Sequence, residues 1–160
     1  MMIKKIVGAV LLSSVLFAKV TNVPATKDFV ENTKMKIIDI RTKGEWIQMG
    51  TIKNAHLITF FDERYGYDVE TFMAELNTVV DKDEEFAIIC NSGSRTKLIA
   101  NFLGVKNSYN VVNLTGGMRK LLQEGFKPEP YNPNRIEAKK ILEKEASIAT
   151  PLMRESNSSI

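Results

Sequence analysis

The chain has 160 residues, and the 44% that are apolar are enough to fill one hydrophobic core. Its formal net charge is +3, but Lys4 and Lys5 are two of its 22 basic residues and lie within the first eighteen positions. The 20 basic residues that follow nearly balance the 19 acidic ones. This balance argues against a protein that binds nucleic acid.

Residues 1–18 have the pattern of a bacterial signal peptide, with a basic start and then an apolar run from Ile6 to Ala18. This run is shorter than the roughly 20 residues that cross a bilayer as a helix. Leu16, however, is large for the position three residues before a cleavage site after Ala18. Because the apolar run is short, we expect a periplasmic protein with a cleaved signal. The alternative is a chain anchored in the inner membrane by residues 6–18.

The remainder of the chain alternates short apolar runs with amphipathic stretches. The predicted strands are residues Lys19–Val23, Met35–Ile40, Ala55–Phe61, Glu85–Cys90 and Tyr109–Leu114. The predicted helices are the segment opened by Pro24, then Thr42–Met49, Asp68–Val80, Thr96–Leu103 and Met118–Gln123. This alternation predicts an α/β fold, in which a mostly parallel five-stranded sheet is flanked by helices on both faces.

Three prolines within residues 127–133 mark the end of the predicted domain, because proline continues neither a helix nor a central strand. Beyond them, Asn134–Ala146 is predicted as a charged helix, and a polar tail follows. The sequence thus divides into a signal at 1–18, a domain at 19–131 and a C-terminal helix and tail at 132–160.

Cys90 is the sole cysteine, so it forms no internal disulfide, and its thiol is either buried and inert or free to react. It ends an apolar strand and is followed by Asn91, Ser92, Gly93 and Ser94, before a helix that opens at Arg95 or Thr96. An ordinary cysteine, with a pKa of about 8.5, is mostly protonated near neutral pH. The N–H groups of such a turn and the helix dipole would stabilise a thiolate. Arg95 adds a planar cation suited to an oxyanion such as thiosulfate.

The loop is one of three stretches that resemble the signatures of the rhodanese-like superfamily. Cys90 to Arg95 is similar to its active-site loop, C-x-x-G-x-R. The other two resemblances are Asp39-Ile40-Arg41 with Glu45-Trp46, Gly50-Thr51-Ile52 and Asn54-Ala55, and Gly116-Gly117-Met118 with Gly125-Phe126-Lys127-Pro128. Thr51, Asn54 and Leu121 depart from the usual histidine, glycine and tryptophan, at positions that are architectural in the family.

The resemblance implies a rhodanese-like fold and a sulfurtransferase in which Cys90 carries a persulfide. We expect Asn91, Ser92, Gly93, Ser94 and Arg95 to bind a small sulfur-containing anion such as thiosulfate. Asp39, Arg41 and Glu45 are expected to support the site structurally, by charge-assisted hydrogen bonds between strand and loop. The expected acceptor is a thiophilic molecule or a sulfur-accepting protein. This covalent mechanism uses no metal and no organic cofactor.

Two other functions remain open. The first is a sulfur carrier that a partner protein loads, with the helix Asn134–Ala146 as its docking element and little turnover of free thiosulfate. The second is a phosphatase, since the superfamily includes phosphatases of the cell-division-cycle type. Their active-site loops have seven residues, whereas the loop from Cys90 to Arg95 has the six that are usual in sulfurtransferases. The count favours sulfur chemistry.

Overall fold

The computed structural model describes residues 19–134 and Ile141. The predicted signal peptide at 1–18 lies outside the described residues. So do the polar tail and, apart from Asn134 and Ile141, the charged helix predicted at Asn134–Ala146. Within the described part of the chain, no helix is long and apolar enough to cross a bilayer.

A five-stranded sheet forms the centre of the domain, and its strands follow the order β1-β5-β4-β2-β3. The strands are β1 (Val20–Pro24), β2 (Ile37–Asp39), β3 (His56–Leu57), β4 (Glu85–Ile89) and β5 (Asn110–Thr115). Each pair of neighbouring strands is parallel. The predicted α/β fold with a parallel sheet is therefore confirmed.

The helices are α1 (Lys27–Asn32), α2 (Lys43–Met49), α3 (Val69–Val79), α4 (Ser94–Asn101) and α5 (Gly117–Gln123). A π-helical turn, Phe102–Lys106, extends α4. Polar side chains fix three of the helix starts, because the oxygens of Thr26, Thr42 and Asp68 each accept a hydrogen bond from a backbone N–H of the first turn. The prediction that α1 opens at Pro24 is wrong, since this proline ends β1, an edge strand that tolerates it.

The two faces of the sheet bury separate apolar clusters. On one face, Phe72 and Leu76 of α3 and Ile99 of α4 pack against Ile88 and Val111 of the sheet. The opposite face is covered by α1 and α5 and by Phe126, which pack against Ala87, Ile89 and Val112. The odd and even positions of β4 thus both lie in a core, which accounts for its continuous apolar sequence.

The predicted strand at Ala55–Phe61 is wrong in length, since only His56 and Leu57 form β3. Ile58 and Phe60 still donate backbone hydrogen bonds to the Asp39 and Ile40 carbonyls, at 3.2 and 3.5 Å. Their side chains are buried in the core. Apolarity in this segment therefore reflects core filling as well as strand pairing.

The turn between β5 and α5 packs directly on the backbone that follows β4. Gly116 and Gly117 both have positive φ angles, of 83° and 57°. A Cβ atom at Gly117 would lie 2.3 Å from the Cys90 carbonyl oxygen and 2.7 Å from that of Asn91. Glycine is therefore required here both by the backbone conformation and by the close approach.

Gly117→Ala should destabilise the fold by at least about 2 kcal/mol, because it adds a backbone clash to the strain of a left-handed alanine. Gly125→Ala is a matched control, since Gly125 also has a positive φ, of 79°, but nothing lies within 4 Å of its would-be Cβ. It should cost only about 1 kcal/mol. Urea unfolding of both variants measures the difference. Equal losses would show that the approach of α5 is not tight.

Candidate active site

Cys90 lies immediately after β4, at the carboxyl edge of the parallel sheet. Its side chain is fully buried and belongs to the same apolar cluster as Ile99 and Ala100 of α4. The carboxyl edge is where open parallel sheets place their ligands. The predicted nucleophile therefore lies at the edge of the sheet where such folds bind ligands, and its side chain is buried.

Two polar groups contact the Cys90 sulfur. The Gly93 N–H donates a hydrogen bond to Sγ at 3.2 Å, and the Thr96 hydroxyl oxygen lies 3.7 Å from it. Gly93 is the N-cap of α4, and its φ of 87° turns the chain tightly enough to bring this N–H inward. The sulfur thus lies beside the first turn of a helix, where the partial positive charge of the dipole favours an anion.

The other loop residues surround the sulfur at different depths. Ser92 and Ser94 are exposed, and their hydroxyl oxygens are 3.0 Å apart. The Asn91 side-chain oxygen is buried and has no hydrogen-bond partner among residues 19–134. The structure therefore brings Asn91 to Arg95 into one turn around Cys90, while their role in binding a substrate stays a prediction.

Arg95 is held by Glu45 of α2. Its two Nη atoms donate to the two carboxylate oxygens at 2.7 and 2.5 Å, and both side chains are about one-fifth exposed. The hydrogen bond to Glu45 raises the pKa of Arg95 against the opposing effect of burial, and Cys90 acts in the same direction as Glu45. Burial alone would raise the pKa of Glu45, but Arg95, the Thr42 N–H and Arg41 together lower it.

Asp39 and Arg41 form a separate, fully buried ion pair. Arg41 Nε lies 2.9 Å from one Asp39 oxygen, and Nη2 lies 2.7 Å from the other. Nη2 also donates to the Gly50 carbonyl, which ties the end of β2 to the end of α2. Of the three residues predicted as structural support, Asp39 and Arg41 therefore bind each other, whereas Glu45 binds the loop.

The sequence did not predict the backbone groups of α5 that support the active-site loop. The N–H groups of Met118 and Arg119 in α5 donate to the carbonyls of Cys90 and Asn91, each at 2.9 Å. The paired glycines at 116 and 117 were a signal of this contact, but nothing in the spacing indicated its target. Thr96 was also missed, because a threonine in the first turn of a helix is common and carries no chemical signature.

No group of three or more His, Cys, Asp or Glu side chains within residues 19–134 is arranged to hold a metal ion.

Comparison with known proteins agrees with the geometry of the Cys90 loop, since the model of the family described as the Rhodanese-like domain matches residues 23–124. The chain belongs to this family. The rhodanese-like domain is a sulfur-transfer type of domain, and the match includes Cys90 and its loop.

Individual relatives are similar over the same region. An uncharacterized protein of Rickettsia conorii is 33% identical over 104 residues, which cover 58% of this chain and 80% of that protein. A rhodanese-like domain protein of Staphylococcus aureus is 27% identical with a TM-score of 0.51, covering 70% of this chain and 99% of that one. The rhodanese-like domain of an Anabaena protein is 17% identical, with a TM-score of 0.51 over 71% of this chain and 80% of that one, and so shares the fold.

Glu45→Gln should destabilise the rhodanese-like domain by about 1–2 kcal/mol near neutral pH, because it removes a charge-assisted contact that is partly exposed. The lowered pKa of Glu45 means that its carboxylate stabilises the fold fully above the ordinary value of 4.5. That stabilisation is lost as pH falls through the lower folded pKa. The difference between the two proteins should therefore shrink in acid.

Urea unfolding across this pH range measures the effect. Glu31→Gln is the control, because Glu31 lies 4.0 Å from Lys27 in an exposed pair and should contribute little. A Glu45→Gln deficit that does not change between neutral and acidic pH would contradict an ionic role for Glu45.

Proposed function

We propose that this chain is a sulfurtransferase that moves sulfane sulfur from thiosulfate or a related donor to a thiophilic acceptor, through a persulfide on Cys90. The observation that carries the proposal is the Gly93 N–H at 3.2 Å from the Cys90 sulfur, at the start of α4. A hydrogen-bond donor and a helix N-terminus favour negative charge on that sulfur.

The reaction proceeds in two displacements. The Cys90 thiolate attacks the outer sulfur of thiosulfate, the S–S bond of the donor breaks, and sulfite leaves with the electron pair. A nucleophilic acceptor then attacks the outer sulfur of the persulfide, and the Cys90 thiolate is regenerated. Such a cycle is covalent catalysis with ping-pong kinetics.

Arg95 has two tasks in this proposal. Glu45 is the main cause of the raised pKa of Arg95, and Cys90 adds to it, so the guanidinium interacts favourably with the sulfur. Both Nη atoms face Glu45, which holds the guanidinium in place and leaves Nε and the outer N–H bonds for other partners. Arg95 therefore stabilises the sulfur anion and offers donors to the departing sulfite.

A sulfur carrier is the second candidate function, and the structure contains two observations in its favour. The Cys90 sulfur is buried, and Glu45 already neutralises much of the charge that would attract free thiosulfate. A carrier would receive sulfur from a partner protein whose contact opens the loop. Turnover with thiosulfate and cyanide separates the candidates, because the enzyme turns over briskly and the carrier does so only slowly.

We also propose export to the periplasm, on the basic and then apolar pattern of residues 1–18. The mass of the protein isolated from the cell envelope tests this. A start at Lys19 supports cleavage, and an intact first eighteen residues supports the membrane anchor.

Cys90→Ser should abolish persulfide formation while the fold is retained, since a hydroxyl is of similar size but is not an anionic sulfur nucleophile. Intact-mass spectrometry after incubation with thiosulfate should show a gain of one sulfur atom in the wild type and none in the variant. A sulfur adduct on the folded Cys90→Ser protein would refute the assignment of Cys90.

Arg95→Ala should reduce kcat/KM for thiosulfate by roughly 10- to 150-fold, the equivalent of a charge-assisted contact of about 1.5–3 kcal/mol. Arg95→Lys should recover part of this loss, because a point charge cannot make the planar contact. Hydrogen disulfide has no sulfonate group, so its reaction should suffer less. The measurement is steady-state kinetics at matched folded fraction.

Lys106→Ala is the charge control for Arg95→Ala, because Lys106 is an exposed cation in the π-helical turn beyond α4. It should leave both donors unaffected. If both donors instead lose the same factor in Arg95→Ala, then Arg95 holds the loop or stabilises the thiolate and does not bind the sulfonate.

A further inference from the structure

The Thr96 hydroxyl lies between two acceptors in the first turn of α4. Its oxygen is 3.1 Å from the Gly93 carbonyl oxygen and 3.7 Å from the Cys90 sulfur. Thr96 and Cys90 are both fully buried, so bulk water does not compete for this hydroxyl. A hydroxyl group has one proton and therefore donates to only one of these two acceptors at a time.

The Gly93 carbonyl does not depend on Thr96 for a hydrogen bond. The backbone N–H of Lys97 donates to the same oxygen at 3.2 Å, as the α-helical pattern of α4 requires. A carbonyl oxygen has two lone pairs and is satisfied by one donor. Thr96 can therefore turn its proton away from Gly93 without leaving a buried acceptor unpaired.

The Cys90 sulfur changes its hydrogen-bonding requirement with its charge. A thiol has a proton of its own and can donate it to the Thr96 oxygen, whereas a thiolate only accepts. The Gly93 N–H already donates to the sulfur at 3.2 Å. A second donor stabilises negative charge there further, and rotation of the hydroxyl about its Cβ–Oγ1 bond is enough to supply it.

We propose that the Thr96 hydroxyl is a switch that follows the charge of Cys90: it donates to the Gly93 carbonyl while Cys90 is a thiol, and to the sulfur when Cys90 is a thiolate. Ionisation releases the thiol proton to solvent. The Thr96 proton stays on its own oxygen throughout, so only the direction of one hydrogen bond changes.

The charged groups at this sulfur do not titrate together with it. Arg95 interacts with Cys90 and is paired with Glu45. Glu45 raises the pKa of Arg95, and the pKa of Glu45 itself is lowered despite burial. Both groups therefore keep their charge over the pH range in which thiols ionise. A change in the ionisation of Cys90 on substitution of Thr96 reports the hydroxyl.

The switch acts unequally on the two steps of the proposed sulfur transfer, and this consequence rests on that function. The Cys90 thiolate is the nucleophile when the persulfide forms and the leaving group when the persulfide is discharged. A stabilised thiolate leaves faster but attacks more slowly. Thr96 therefore assists the discharge of the persulfide, not the attack of the thiolate on the donor.

Thr96→Val tests the switch, because it replaces the hydroxyl by a methyl group of similar size. The ultraviolet absorbance of the thiolate is followed against pH in the full chain, and each protein is corrected with the same protein carrying Cys90→Ser. Thr96→Val should ionise at higher pH, with about three- to tenfold less thiolate at a pH where ionisation is slight, as expected for one lost hydrogen bond. Thr96→Ser keeps the hydroxyl and should ionise like the wild type.

Thr78→Val is a matched control, since the Thr78 hydroxyl donates to the Glu75 carbonyl at 2.7 Å, three residues back in α3, as Thr96 does to Gly93. It should leave the ionisation of Cys90 unchanged. A Thr96→Val protein that is less stable to urea but ionises like the wild type would show a purely structural threonine and overturn the proposal. Should Thr96→Val fail to fold, Thr96→Ala and Thr96→Ser decide, because they differ only in the hydroxyl.

Single-turnover kinetics test the consequence for sulfur transfer at a pH where Cys90 is fully ionised in both proteins. Thr96→Val should then form the persulfide from thiosulfate about two- to threefold faster and discharge it to cyanide more slowly. Formation that slows as much as discharge would refute the role in discharge. If the wild type forms no persulfide, the proposed function fails, while the ultraviolet titration still decides the switch.

Discussion

The contact between the first turn of α5 and the backbone after β4 is the constraint on which the Cys90 site depends. The backbone N–H groups of Met118 and Arg119 in α5 donate hydrogen bonds to the carbonyls of Cys90 and Asn91. The negative ends of these two peptide dipoles therefore point at α5. The approach is possible only because Gly117 has no Cβ. With these carbonyls fixed, the chain turns at Gly93 and presents an N–H to the sulfur. The chemistry of the loop thus rests on a packing contact made by another helix.

Two ion pairs at this edge of the sheet have different structural roles. The Asp39–Arg41 pair is fully buried and fixes the path of the chain from β2 through α2, with no contribution from the loop. A buried pair of this kind is costly to break, because either partner alone would leave an uncompensated charge. The Glu45–Arg95 pair is partly exposed and joins α2 to the start of α4. Both Nη atoms of Arg95 are engaged by Glu45, so this pair fixes the guanidinium at the start of α4, beside the loop.

The local sequence pattern was sufficient to predict most of the fold, because continuous apolar runs indicate strands buried on both faces and capping residues indicate helix starts. Capping at Thr42 and Asp68 agrees with the predicted helices almost to the residue. Prediction failed where tertiary packing decides the backbone: β3 shrinks to two residues while Ile58 and Phe60 fill the core. The same holds for the site. Cys90 and its loop are contiguous and were recognisable, whereas Glu45 and Arg95 are 50 positions apart and only the fold brings them together.

The sequence left Cys90 with two exclusive options, a buried inert thiol or an exposed reactive one, and the structure combines features of both. A sulfur surrounded by apolar atoms alone would gain nothing from ionising. Cys90 packs against Ile99 and Ala100 on one side, but it faces the Gly93 N–H and the Thr96 hydroxyl on the other. Burial therefore restricts which reagents reach the sulfur, while the Gly93 N–H still donates a hydrogen bond to it.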